Sequence, residues 1–175
     1  MDKTVEDWIA SARTYAPALP PEELLQSIAY APGKDAQGEA IDSHETFRAK
    51  VCQALIQDRR PADHAVAVYL LEQEIICHKA FEGYSMTLGF CAYLLFQFGR
   101  VEDSLLLWRA KATNNDTTCG LDVQLLVGGG LDETLQHLHS HSHPDAAEAA
   151  GYIEECRVAG DFNHNYHEKL AKCYA

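Results

Sequence analysis

The chain reads as all-α: stacked antiparallel helical hairpins forming a short α-solenoid or an irregular bundle of roughly 8–9 helices. Three observations carry this expectation. Apolar residues recur at helical spacing in segment after segment, no long segment alternates with the period of a half-buried strand, and one turn-plus-helix pattern recurs 30 residues later. With 175 residues, 47% of them hydrophobic, a single helical domain over 1–175 is expected.

"TVEDWIASARTYA" sets Val5, Trp8, Ile9 and Ala12 on one stripe, with Thr4 and Asp7 at capping-box spacing, and predicts an amphipathic first helix. "EELLQSIAY", following the prolines of "PALPP", predicts a second, shorter one. "APGKDAQGEAID" has two glycines and a proline but no apolar period, which predicts an exposed flexible loop over about 31–42. In "DSHETFRAKVCQALIQD" Asp42 stands as a cap with Glu45 three residues on, before Phe47, Val51 and Leu55. "RRPADHAVAVYLLEQEIICHKAF" carries an apolar surface through Val66, Tyr69, Leu70, Ile76 and Cys77 and predicts a central helix. "TLGFCAYLLFQF" is apolar nearly all round; its length and helical neighbours favour a buried helix, leaving almost no strand.

The repeat pairs "GRVEDSLLLW" from Gly99 with "GGLDETLQHL" from Gly129. Gly99 matches Gly129, Val101 Leu131, Glu102 Asp132, Asp103 Glu133, Ser104 Thr134, Leu105 Leu135 and Trp108 Leu138. Glycine can take the left-handed conformation that ends one helix, and the acidic pair suits the positive end of the next. A weaker third copy lies at "AGDFNHNYHEKL", through Gly160, Phe162 and Tyr166. With "FGRVEDSLLLWRAKA" closing one helix and opening another, the region about 84–175 resembles tetratricopeptide-type and related α-solenoid repeats. That resemblance implies a stack that binds peptides or folded partners and performs no chemistry.

Charge narrows the partner. With 26 acidic and 14 basic residues, net −12, the chain repels nucleic acid and anionic membranes and suits a basic protein. No apolar run is long enough to span a bilayer and "MDKTVEDWIA" has no secretory pattern, so a cytoplasmic protein is expected. The six cysteines, at 52, 77, 91, 119, 156 and 173, include no CxxC pair, which argues against a zinc module and for reduced thiols.

"LQHLHSHSHPD" is the sharpest candidate metal segment. Helical residues two apart point to different sides, so only His137 with His141, or His139 with His143, can share an ion. Pro144 disfavours helix at His143, leaving His137 and His141, which need a further ligand such as Asp145 or Glu148. A second arrangement, Glu72, Glu74 and His78 with His44 or Glu45, has Glu74 and His78 four apart where carboxylate-bridged bundles use three, and reads instead as a solvated face. Cys119, expected near a helix start, is the best-placed thiol for a nucleophile. "VGGGLDET" lacks the P-loop lysine. No motif calls for a cofactor.

"LWRAKATNNDTTCGLD" joins an aromatic to basic and polar residues between repeats. Trp108 takes an inward position, while Arg109, Lys111, Asn115 and Asp116 are expected on the exposed edge. From residue 61 onward there are 16 acidic and 7 basic residues, so Asp122, Asp132, Glu133, Glu154 and Glu155 join them as candidate partner-binding residues. In size and acidity the chain is similar, in a general way, to small acidic bacterial immunity-type proteins. The expected function is therefore a non-catalytic module that covers the basic active-site surface of a toxin. The alternatives are a metal-dependent helical enzyme using residues 137–143 and a peptide-binding scaffold or regulator.

Overall fold

The structure, a computed structural model, describes residues 4–174; the first three residues of the start read above for an export signal lie outside the described residues. The described chain is mostly helical, with ten α-helices, eight of seven residues or more. None is long and apolar enough to cross a membrane.

Helix α1 (Val5–Arg13) starts as its sequence predicts, with Thr4 Oγ1 accepting from the Asp7 N–H at 3.1 Å. Trp8 is buried beneath it, its Nε1–H shared between Leu24 O (3.1 Å) and Ser27 Oγ (2.9 Å). The second helix shrinks to α2 (Glu22–Leu25), a single turn after Pro21.

Residues 31–42 are not the expected flexible loop. Strands β1 (Pro32–Lys34) and β2 (Ala40–Asp42) pair antiparallel, Pro32 opposite Asp42 and Lys34 opposite Ala40. Asp35 Oδ1 closes the turn by accepting from the N–H groups of Gln37 and Glu39, both at 2.9 Å, and Gly38 takes φ 87°. An isolated hairpin is marginal in water. This one is anchored at its end, because Asp42 reaches a buried arginine, Arg48, on α3 (Glu45–Gln57). Asp42 is consequently not a helix cap: its Oδ1 accepts from the N–H groups of Ala31 and His44, both at 3.0 Å, and His44 precedes the helix.

A 3-10 turn (Pro61–Asp63) leads into α4 (His64–Ala80), which packs on α5 (Met86–Phe96). Helix α5 lacks a polar face because α3, α4, the 3-10 turn Val123–Val127 and α10 (Tyr166–Tyr174) surround it. The expected reading of α4 is corrected at three positions. Ile76 is 45% exposed, whereas Glu74 and His78, read as a solvated face, are buried. Leu70, Leu71, Glu74, Cys77 and His78 share the face turned to the core, and Ile76 falls on the opposite side.

The C-terminal half contains α6 (Ser104–Lys111), α7 (Asn115–Gly120), α8 (Leu131–Ser140) and α9 (Pro144–Ala159). Both repeat turns use a glycine at positive φ, but the second uses Gly130 (φ 103°), one place beyond the residue aligned with Gly99 (φ 65°). The first copy also inserts a 3-10 turn (Val101–Asp103) before its helix, where α8 starts directly at Leu131. The inward positions agree: Trp108 and Leu138 are both buried, and Trp108 meets Tyr152 at 5.4 Å between ring centroids. In the third copy Gly160 (φ 90°) ends α9, and Phe162 packs edge to face on Tyr166.

Candidate functional site

Helices α8 and α9 form an exposed hairpin, and four of the expected partner-binding residues, Asp132, Glu133, Glu154 and Glu155, lie exposed on it. From Leu131 to Ala159 the chain has six carboxylates and one Lys or Arg, Arg157. Arg157 Nη1 donates to Asp132 Oδ1 at 3.1 Å, and His139 Nε2 meets Glu154 Oε1 at 3.1 Å. Exposed pairs of this kind hold little energy and release their carboxylates readily.

Arg109, Asn115 and Asp116 are exposed at the α6–α7 edge, as expected. Lys111 is a correction: it is 3% exposed, donates to Thr118 O and to Leu121 O (2.7 Å), and sits 5.2 Å over the Tyr152 ring. Burial pulls its pKa below the ordinary lysine value. Its long stem folds inward because the last carbonyls of α7 need donors, so it caps that helix and does not meet solvent. Cys119 is corrected too, lying exposed in the last turn of α7, the wrong end of the helix dipole for a stabilised thiolate. The N-cap is Asn114, whose Oδ1 accepts from the Thr117 N–H (2.8 Å) while Nδ2 donates to His78 O (3.0 Å). Asp122 stands apart from the ridge: it accepts from Tyr174 Oη–H at 2.9 Å and borders a cleft of about 460 Å³ with Lys169 and Lys172.

His137 and His141 do approach, with ring centroids 5.3 Å apart. His141 lies just past α8 and its Nδ1 accepts from the His143 N–H (3.1 Å); His143 Nδ1 in turn accepts from the Asp145 N–H (3.2 Å) at the start of α9. A neutral imidazole accepting at Nδ1 carries its proton on Nε2, so neither nitrogen of His141 is open to a metal while the turn stands. Among the described residues no three His, Cys, Asp or Glu side chains group as a metal site.

The most deeply buried charges escaped the sequence reading. Arg48 is inaccessible; its Nε donates to Glu74 Oε1 (2.6 Å), its Nη2 to Asp42 Oδ2 (2.5 Å) and its Nη1 to Ile28 O (3.3 Å). Burial pushes both carboxyls up, and they resolve differently. Asp42 ends below the ordinary range, because Arg48 and two backbone N–H groups outweigh burial; Glu74, more enclosed and paired to the same guanidinium, stays raised. The signal was present: Arg48 is in phase with Val51, Cys52 and Leu55, and Glu74 with Leu70, Leu71 and Cys77.

Above this network lies a cleft of about 320 Å³ lined by Asp42, Glu45, Cys77, His78, Tyr84 and Ser85, among others. Its polar groups are engaged. His78 Nδ1–H donates to Glu74 O (2.8 Å) and Nε2 accepts from the Ser85 N–H (3.1 Å), while Ser85 Oγ donates to Glu74 Oε2 (3.3 Å). Burial, then Glu74, pushes the Cys77 thiol up to about 12. Ser85 Oγ is thus paired with a buried carboxylate, while both ring nitrogens of His78 are committed to the backbone. Iodoacetamide at mildly alkaline pH should therefore modify the exposed Cys119 and Cys173 first and leave Cys77 untouched until the protein unfolds, as peptide mass mapping will read.

Comparison with protein-family models, with curated proteins and with solved structures returns no match.

Proposed function

We propose that this protein is a non-catalytic, acidic protein-binding module of the immunity type, acting in the cytoplasm by covering the basic active-site surface of a toxin. The observation that carries the reading is the α8–α9 ridge, where Asp132, Glu133, Glu154 and Glu155 face solvent against a single guanidinium. Such a surface accelerates encounter with a cationic protein and fixes its orientation. The interior lends support from the other side, since the histidine, serine and thiol of the cleft are committed to structural hydrogen bonds or held protonated.

The test is capture of the partner from the native host with wild-type protein, identification by mass spectrometry, and assay of the partner's activity with and without one equivalent of this chain. The expected partner is basic and is inhibited. Reversing Asp132, Glu133, Glu154 and Glu155 to lysine should weaken the complex at least tenfold and steepen its loss with salt. Undiminished binding by that variant, or a captured partner whose activity is unaffected, would overturn the reading.

A further inference from the structure

Of the seven arginines, Arg13, Arg48, Arg60 and Arg157 pair with carboxylates. Among the described residues Arg59, Arg100 and Arg109 do not, although the chain carries twelve excess negative charges, and the first two approach one aromatic unit. The Arg59 guanidinium carbon lies 5.1 Å from the Phe98 ring centroid. The His64 ring stands edge-on to the same phenyl, 5.1 Å between centroids. Arg100 Nη1 donates to His64 Nδ1 at 3.3 Å in an exposed contact. On the far side, His64 Nε2 is 2.9 and 3.0 Å from the two oxygens of the buried Asp103.

These contacts define a tautomer. His64 Nε2–H donates to Asp103, which leaves the Nδ1 lone pair facing Arg100. One acceptor bonded by Arg100, with a second guanidinium across the shared Phe98 ring, is an uncommon combination, because most oxyanions have nothing to donate. Phosphate has: near neutral pH its monoanionic form carries a P–OH beside charged oxygens. A carboxylate is planar and satisfied by one guanidinium fork, and sulfate has no proton to give.

We infer that Arg59, Arg100 and His64 form a site for a phosphate monoester, its P–OH donating to His64 Nδ1 and its charged oxygens accepting from the two guanidinium groups. Arg100 leaves Nδ1 as the ligand arrives, and no covalent bond changes. The neighbouring acids are accounted for. Of the acids nearest in sequence to these three residues, Asp58 and Asp63 are held by Arg13 and Asp103 by His64, while the exposed Glu102, on the same turn as Asp103, opposes the ligand. The site uses no residue of the α8–α9 ridge, so it stands or falls independently of partner neutralisation.

The full-length protein should be titrated at constant ionic strength with inorganic phosphate, a capped phosphoserine peptide and sulfate, following the His64 ring resonances by NMR. Phosphate should shift them at millimolar concentration, with sulfate at least tenfold weaker. Arg59→Gln with Arg100→Gln should weaken phosphate at least tenfold at unchanged far-UV circular dichroism, and Glu102→Gln should tighten it a few-fold. A peptide that binds more tightly than inorganic phosphate assigns the site to phosphorylated proteins, and equal binding to small phosphates; both support it. No phosphate-dependent shift, sulfate equal to phosphate, or an unaffected double variant would overturn it.

Discussion

Replacing Arg48 with methionine is expected to destabilise the protein by about 3–5 kcal/mol, the range for removing one partner of a buried charge pair. The substitution keeps the aliphatic volume but leaves Glu74, wholly inaccessible, and Asp42, nearly so, without a counter-charge. It also frees the end of the β1–β2 hairpin, whose last residue is Asp42. Urea unfolding should show a lowered midpoint, and hydrogen exchange should show amides of residues 32–42 losing protection beyond the global change. Removing Arg48 and Glu74 together, Arg48→Met with Glu74→Leu, should recover much of the loss, because the one carboxylate of the network then left without a cation, Asp42, still accepts from two backbone N–H groups. A double variant as unstable as Arg48→Met would show that the cost is lost packing and not stranded charge.

Gly128→Ala is the second large effect, about 1–3 kcal/mol from overpacking. Gly128 has ordinary helical dihedrals (φ −56°, ψ −33°), so alanine meets no backbone strain there. Its Cβ, however, would lie 2.5 Å from the Phe96 carbonyl oxygen, a main-chain atom that cannot turn aside. Gly129 is similarly tight, 2.8 Å from Val101 N. The two repeat turns touch backbone to backbone, and a single methyl must pry them apart. Gly151→Ala supplies the contrast: nothing lies within 4 Å of its Cβ, and within α9 the change should stabilise by about 0.5–1 kcal/mol. Thermal or urea midpoints of the two variants decide the point, and a neutral Gly128→Ala would refute the close approach.

How far the candidate site was readable varies residue by residue. The exposed ridge of Asp132, Glu133, Glu154 and Glu155 was legible, since acidic residues on helices that keep Leu135, Leu138 and Ile153 inward have only solvent to face. Lys111 was not, because a flexible stem lets a lysine serve either solvent or a nearby helix end, and only the position of Thr118 O and Leu121 O decides which. Glu74 and His78 were assigned to a solvated face by their polarity, which fails wherever a distant residue such as Arg48 supplies the missing partner.

The amino-acid pattern alone determined the helical class, the order of the long helices, the buried α5, the cap on α1 and the kinship of the turns that begin at Gly99 and Gly129, though not which glycine of the second turn takes positive φ. These rest on period, capping chemistry and turn glycine, all local to a few residues. Tertiary structure decided the rest: that residues 31–42 pair as a hairpin, that Asp42 and Glu74 meet Arg48, that Asp103 orients His64 toward Arg100, and that Gly128 is needed for contact and not for conformation. Each joins groups many residues apart, and the energy of burying a charge or a bare peptide depends on what the fold brings opposite it.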